Sequence, residues 1–162
     1  MTEKFTFFWN GPFSQWERSE FEIDGVTYNC SEQYMMACKA KLFNDEDTLS
    51  SIMEAEHPRD QKKLGRQVQG FNAEQWDNRA RDIVYDGNYA KFTQNPELLE
   101  RLMATKGTTL VEASPDDCIW GIGMAEGDEG IMDRDNWRGT NWLGEVLTGL
   151  REDLIDEGYN DN

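Results

Sequence analysis

The chain has 162 residues, the length of one domain with a sizeable core, and carries sixteen basic against thirty-two acidic side chains for a formal charge of −16. That charge repels polyphosphate at long range and argues against broad binding of nucleic acid or anionic membrane through the outer surface, while a basic pocket inside an acidic shell stays open. Cys30, Cys38 and Cys118 form no C-x-x-C pair, and with a single His57 there is no zinc-ligand spacing, so no metal is expected. The amino-terminal M-T-E-K-F lacks the apolar core of a signal peptide and no run approaches membrane-spanning length. A reducing cytoplasmic location is the expectation.

In chain order, Lys4 to Trp9 reads as an aromatic strand, and N-G-P after it as a turn. Phe21 to Tyr28 alternates around Asp24-Gly25, a strong short hairpin signal. The next stretch, from Tyr28 to Phe43, holds a helix capped by Asn29 or Ser31. Asp47 to Glu56 predicts a second helix stopped at His57-Pro58, and Arg59 to Val68 a short helix or turn. Asn72 caps a longer helix, Ala73 to Phe92, and Pro96 opens another through Leu98, Leu99 and Leu102. Gly107 to Ala113 is a strand. The Gly- and acid-rich segment 123–138 reads as a mobile lid or rim. Thr140 caps a last helix with an apolar stripe of Leu143, Val146, Leu147, Leu150 and Leu154, and 156–162 is a polar tail.

The stretch Tyr28–Phe43 carries the most chemistry. Tyr34, Met35, Ala37, Cys38 and Leu42 supply apolar positions at roughly helical spacing, and Glu32 and Lys39 stand among them. Seven residues are almost two turns, so both long side chains share a face roughly 10 Å apart along the axis. A carboxylate and an ammonium on an apolar face are costly to bury and define a candidate site. The plain alternative is structural: N-x-x-E over Asn29–Glu32 is also a capping box, and Lys39 can snorkel to water.

Other constellations divide the same way. Asp117 with Trp120, next to the glycine-rich segment, suits a sugar or base, or is a turn aspartate beside a core indole. Gly65-Arg66 offers a phosphate-facing guanidinium or a solvated helix end. Trp76 stacks on a ligand or fills the core. The segment E-G-D-E-G-I-M-D-R-D-N fails the calcium-loop template, and neither a nucleophile elbow, a P-loop nor a dinucleotide fingerprint is present, so no cofactor is expected.

Six motifs, F-S-Q-W (13–16), C-S-E-Q-Y-M-M-A-C-K-A (30–40), L-G-R (64–66), Trp76 with Y-A-K-F (89–92), L-V-E-A-S-P-D-D-C-I-W-G (110–121) and N-W-L-G (141–144), occur in an order that resembles the NADAR, or YbiA-like, family over nearly the whole chain. Gln15 and Gln33 depart from the family's usual Asn and His, and the 123–138 segment is longer and more acidic than the family pattern. The resemblance implies an N-glycosidase cleaving the bond between ribose C1 and an exocyclic base amine. It extends to removal of ADP-ribose from guanine, including DNA engaged through a single nucleotide, or to hydrolysis of phosphoribosylamino-pyrimidine intermediates of riboflavin synthesis. A module that binds ADP-ribose or NAD without turnover is the competing class.

On that resemblance Glu32 and Asp117 share acid, base and charge-stabilising work, and Lys39 attacks C1 to give a Schiff base. Trp76 and Trp120 stack on base or ribose, Arg66 with Gly65 meets a phosphate, Asn141 meets sugar hydroxyls, and Ser14 and Trp16 join the substrate-binding set. A neutral Lys39 requires either an apolar wall, expected from Tyr34, Met35 and Met36, that outweighs the pull of Glu32 toward the ammonium, or a proton held on Glu32 as Lys39 reacts. The fold implied is α+β, a single domain over 1–155 with a small, mostly antiparallel sheet covered by helices.

Overall fold

The computed structural model describes residues 2–159, so the tail expected over 156–162 lies partly outside the described residues. The fold is α+β, with β1 (Phe5–Phe8), β2 (Phe21–Ile23), β3 (Val26–Tyr28), α1 (Ser31–Leu42), α2 (Glu46–Glu54), α3 (Pro58–Gly65), α4 (Ala73–Gln94), α5 (Pro96–Met103), β4 (Thr109–Glu112) and α6 (Trp142–Asp156). The strands form two pairs rather than one sheet, β1–β4 parallel and β2–β3 antiparallel. A parallel pair needs a long connection between its strands, which the intervening helices supply. Two compact units result: Gln15–Asn95, and the residues up to Ser14 together with those from Pro96 onward.

In the first-and-last unit, Phe5 faces Thr109 and Phe8 faces Glu112 across the parallel ladder. Helix α6 packs on β4. A Cβ on Gly144 would fall on the Leu110 carbonyl and the Asn141 side chain, so that helix closes on the strand only through a glycine. Its N-cap is Asn141 in the left-handed region (φ 53), not Thr140, whose hydroxyl instead donates to the Ile119 carbonyl at 2.6 Å. Asn tolerates that conformation better than the β-branched Thr.

The 123–138 segment, expected as a mobile lid or rim, carries buried apolar side chains between its exposed acidic ones. Ile122, Met124 and Ile131 join Val111 and Ala113 in a buried cluster against Phe5, Phe7 and Trp137. The Trp137 indole donates to the Ile131 carbonyl at 2.8 Å, and Arg134 pairs with Glu3 at 2.6 Å and Glu145 at 3.2 Å. A few well-spaced apolar side chains, masked by acidic and glycine neighbours, give this segment a core of its own.

In the Gln15–Asn95 unit, Asp24 (φ 53) and Gly25 (φ 82) supply the two left-handed positions of the β2–β3 turn. The Gln94 side chain covers the β2 edge, accepting from Glu22 N and donating to Glu22 O, both at 2.8 Å. Helix α1 packs against α2, α3 and α4, and is buried on almost every side from Ser31 to Ala37. Asp45, His57 and Asn72 cap the three surrounding helices. His57, expected only to stop the preceding helix, caps the next one: it accepts from Arg59 N at 3.0 Å through Nδ1, with Pro58 in the first helical turn.

The start of α1 differs from both expected caps. Cys30 is the N-cap and makes no side-chain cap bond. Gln33 does the work instead: its Oε1 accepts from Asn29 N at 2.8 Å and its Nε2 donates to the Ile52 carbonyl at 3.1 Å. A residue one step beyond the expected Glu32 thus closes the turn, and Glu32 is left out of the capping box.

Candidate active site

Glu32 and Lys39 fall where helical spacing puts them, on α1. Glu32 is 3% exposed. The carbonyl of Gln15 accepts its backbone N–H at 2.9 Å, and the Trp16 indole Nε1 donates to its Oε1 at 3.4 Å. Gln15 is tied to α4, its Oε1 accepting from the fully buried Asn88 Nδ2 at 2.8 Å, and that same nitrogen reaches the Val84 carbonyl. Gln15 and Trp16, the second half of the F-S-Q-W motif, therefore hold the acidic residue of α1 from its backbone and its carboxylate.

Lys39 is half-buried. Its Nζ lies 4.7 Å from the Phe71 ring centroid and 5.7 Å from that of Trp76. Burial pushes its pKa below the usual lysine range; Glu32 opposes that shift and Arg66 reinforces it. Desolvation therefore wins over the carboxylate. The wall is not the one expected: Tyr34 turns the other way, packing edge-on against Tyr28 (5.0 Å) and Phe21 (6.1 Å). Phe71 and Trp76 take its place.

Phe71 carries no signal in its composition, but its position does. It directly precedes the Asn72 N-cap, and Trp76 stands at the fourth helical position, the two places of a hydrophobic staple. Aromatic residues in both of those places bring two ring faces to the mouth of the α1 face. The His57 ring meets Trp16 edge-on at 6.2 Å.

The remaining expected site residues separate by unit. Gly65 and Arg66 end α3 beside α1, where Arg66 is exposed and within electrostatic reach of Lys39. Gly65 is buried, and a Cβ there would collide with the Met36 sulfur, so its glycine serves the close approach of α3 to α1. Ser14, Asp117, Trp120 and Asn141 belong to the other unit. Asp117 Oδ1 accepts from the backbone N–H of Ile119 (2.9 Å) and Trp120 (2.8 Å), an Asx turn. Trp120 rests edge-on against Trp142 at 5.4 Å. Buried Asn141 splices β4, accepting from Glu112 N at 2.9 Å and donating to the Leu110 carbonyl at 3.1 Å. Both ends of its amide are occupied by backbone. Ser14 is buried, with its N–H on the Gly11 carbonyl at 3.0 Å.

A buried acid and a half-buried amine share a helix face, with aromatic rings at the amine and a guanidinium within reach, the kinds of group that an anionic, ring-bearing ligand would meet. The chain belongs to the NADAR domain family, whose model matches residues 5–155. It is 44% identical over 146 residues to N-glycosidase R617 of Acanthamoeba polyphaga mimivirus, covering 87% of this chain and 86% of that protein. N-glycosidase YbiA of Escherichia coli K12 is 31% identical over 147 residues, 91% of this chain and 83% of that one. The NMR structure of E. coli YbiA superposes with a TM-score of 0.80 at 29% identity, covering 98% of this chain and 89% of that chain. The riboflavin biosynthesis protein PYRR of Zea mays is 34% identical over 139 residues, 82% of this chain but 20% of that longer protein.

Proposed function

We propose that this chain is an N-glycosidase that hydrolyses the bond between ribose C1 and an exocyclic base amine, most favourably ADP-ribosylated guanine. The observation that carries the reading is the pairing of Glu32 with a Lys39 amine whose ammonium form is disfavoured by burial, on one face of α1. The N-glycosidase names of relatives at 44% and 31% identity support the reaction class.

The chemistry follows from the two groups. A base amine is a poor leaving group, so a proton passes from Glu32 to the nitrogen as the C1–N bond breaks. Positive charge growing at C1 is supported by the resulting carboxylate. The neutral Lys39 amine bonds to C1; the Glu32 carboxylate takes a proton from that nitrogen and passes it to the ring oxygen as the C1–oxygen bond breaks, leaving the ring-opened Schiff base. Water then adds to C1, and expulsion of the amine restores Lys39 and releases free sugar. Arg66 meets a phosphate of the substrate, and Trp76 flanks the reacting end. An exterior charge of −16 opposes wrapping of duplex DNA but leaves one extruded nucleotide able to enter.

A second reading, hydrolysis of a phosphoribosylamino-pyrimidine, draws on the likeness to the maize riboflavin protein, of which this chain spans a fifth. Incubation with an ADP-ribosylated guanine oligonucleotide and, separately, with a ribosylaminopyrimidine phosphate separates the readings. Release of ADP-ribose from the first alone is expected. Release from the second alone moves the substrate to the pyrimidine class, and saturable binding without release from either makes the protein a binding module.

A further inference from the structure

We propose that Phe71 is the stacking platform for the leaving base, and that a bound base takes the ring face now held by the Lys39 ammonium. This rests on the reading that Lys39 and Glu32 carry the chemistry, and it assigns a specificity-determining residue to that site.

Three observations carry it. Phe71 is 47% exposed, so a ligand can reach its ring. The ring packs against Phe43 in a T-shaped pair, at a centroid distance of 5.5 Å and an interplanar angle of 64°, which steadies it. The atom above it is the proposed nucleophile, 4.7 Å from the centroid. A staple residue explains why the chain places an apolar group here; it does not require an aromatic ring with an open face beside a reactive amine.

The exchange has a chemical consequence. A ring face attracts a cation through its quadrupole, and it stacks a planar base through the same surface. One phenyl face holds one of them. In the free protein the ring's attraction for the ammonium works against the effect of burial on Lys39. A base arriving on Phe71 removes that support while adding its own desolvation, so the amine sheds its proton when a substrate is present to receive it. Trp76, whose centroid is 5.7 Å away, stays beside the amine in either state.

Two readouts test the proposal, one of them independent of turnover. In NMR of wild-type protein labelled at lysine and phenylalanine, saturating guanosine, a nucleotide base and ribose without the charged phosphate, is expected to shift the Phe71 ring signals and to make Lys39 titrate about half a pH unit lower. Phe71→Leu is expected to lower the Lys39 titration by about the same amount without ligand, and guanosine then to have no further effect. In kinetics with ADP-ribosylated guanosine, Phe71→Leu is expected to raise KM about tenfold with kcat changed by no more than about twofold, and Phe71→Tyr to restore KM. An unchanged KM in a folded Phe71→Leu protein, while Lys39→Ala abolishes turnover, overturns the platform and leaves the N-glycosidase reading standing. Wild-type protein whose Phe71 signals ignore guanosine also overturns it, and needs no variant to fold. Failure of the wild type to cleave either glycoside overturns the proposed reaction instead, and the guanosine titration then judges the platform alone.

Discussion

Lys39 and Lys91 both lie in the Gln15–Asn95 unit, and burial lowers the pKa of each, but the two sites differ in what that burial permits. Lys91, on α4, is fully buried; desolvation pushes its pKa down to about 7, against the opposing pull of Glu17 and Cys30. Lys39, on α1, is half-buried, with ring faces on one side and the charges of Glu32 and Arg66 within reach. By basicity alone Lys91 is well supplied with neutral amine at neutral pH. By access it is closed, its Nζ 5.0 Å from the ring centroid of its own neighbour Phe92. A weakened base is therefore not by itself a nucleophile: reaction needs an amine that is partly stripped of water and still able to meet a ligand, and on these two helices α1 provides it.

The sharpest way to break the comparison is to remove each amine in turn. Lys39→Ala is expected to lower kcat by about a thousandfold or more on the cleaved glycoside, with thermal stability little changed. Lys91→Met is expected to keep kcat within about threefold, because it removes no group that meets substrate. Equal losses in the two variants would erase the distinction.

Stability against pH sharpens it next. In the folded protein Lys91 releases its proton near pH 7, whereas the unfolded chain holds it to about 10.5. Across that window the unfolded state binds more protons, so Lys91 makes stability rise with pH. The unfolding free energy of wild type relative to Lys91→Met is expected to increase by on the order of 3 kcal/mol from pH 7 to 9.5, measured by urea unfolding. A constant difference would show that Lys91 titrates normally.

Smaller effects concern how the α1 site is held. Gly65→Ala, which sets a methyl against the Met36 sulfur, is expected to cost about 2 kcal/mol in chemical denaturation, the range of core overpacking. Trp16→Phe keeps the ring and removes the Nε1–H that reaches Glu32, and is expected to lower kcat by about fivefold with KM nearly unchanged. A Trp16→Phe protein altered in KM alone would make that indole a binding group with no part in holding the acid.

Much of this site is written in local spacing. The shared face of Glu32 and Lys39 follows from helical geometry, and the Asp24-Gly25 turn and the Asn72 cap follow from backbone preferences of single residues. What escaped depends on partners far along the chain. Gln33 displaces the expected caps because it reaches the carbonyl of Ile52, and Asn141 is spoken for by β4. The parallel pairing of β1 with β4 has no local signature, since the strands lie about a hundred residues apart in sequence and either direction satisfies the same apolar pattern. The 123–138 segment hides its core because Met124 and Ile131 are too sparse to form a period. Phe71 escaped for a different reason: the staple pattern around Asn72 is visible, but nothing in it says that an amine from α1 lies over the ring.

Borohydride added during turnover of ADP-ribosylated guanosine, followed by peptide mass spectrometry, reaches the central claim most directly. Reduction is expected to fix the sugar to Lys39 as a stable secondary amine and to leave Lys91 unmodified. Turnover that proceeds with no sugar on Lys39, or with the sugar on another lysine, would contradict the assignment of the α1 amine as the nucleophile.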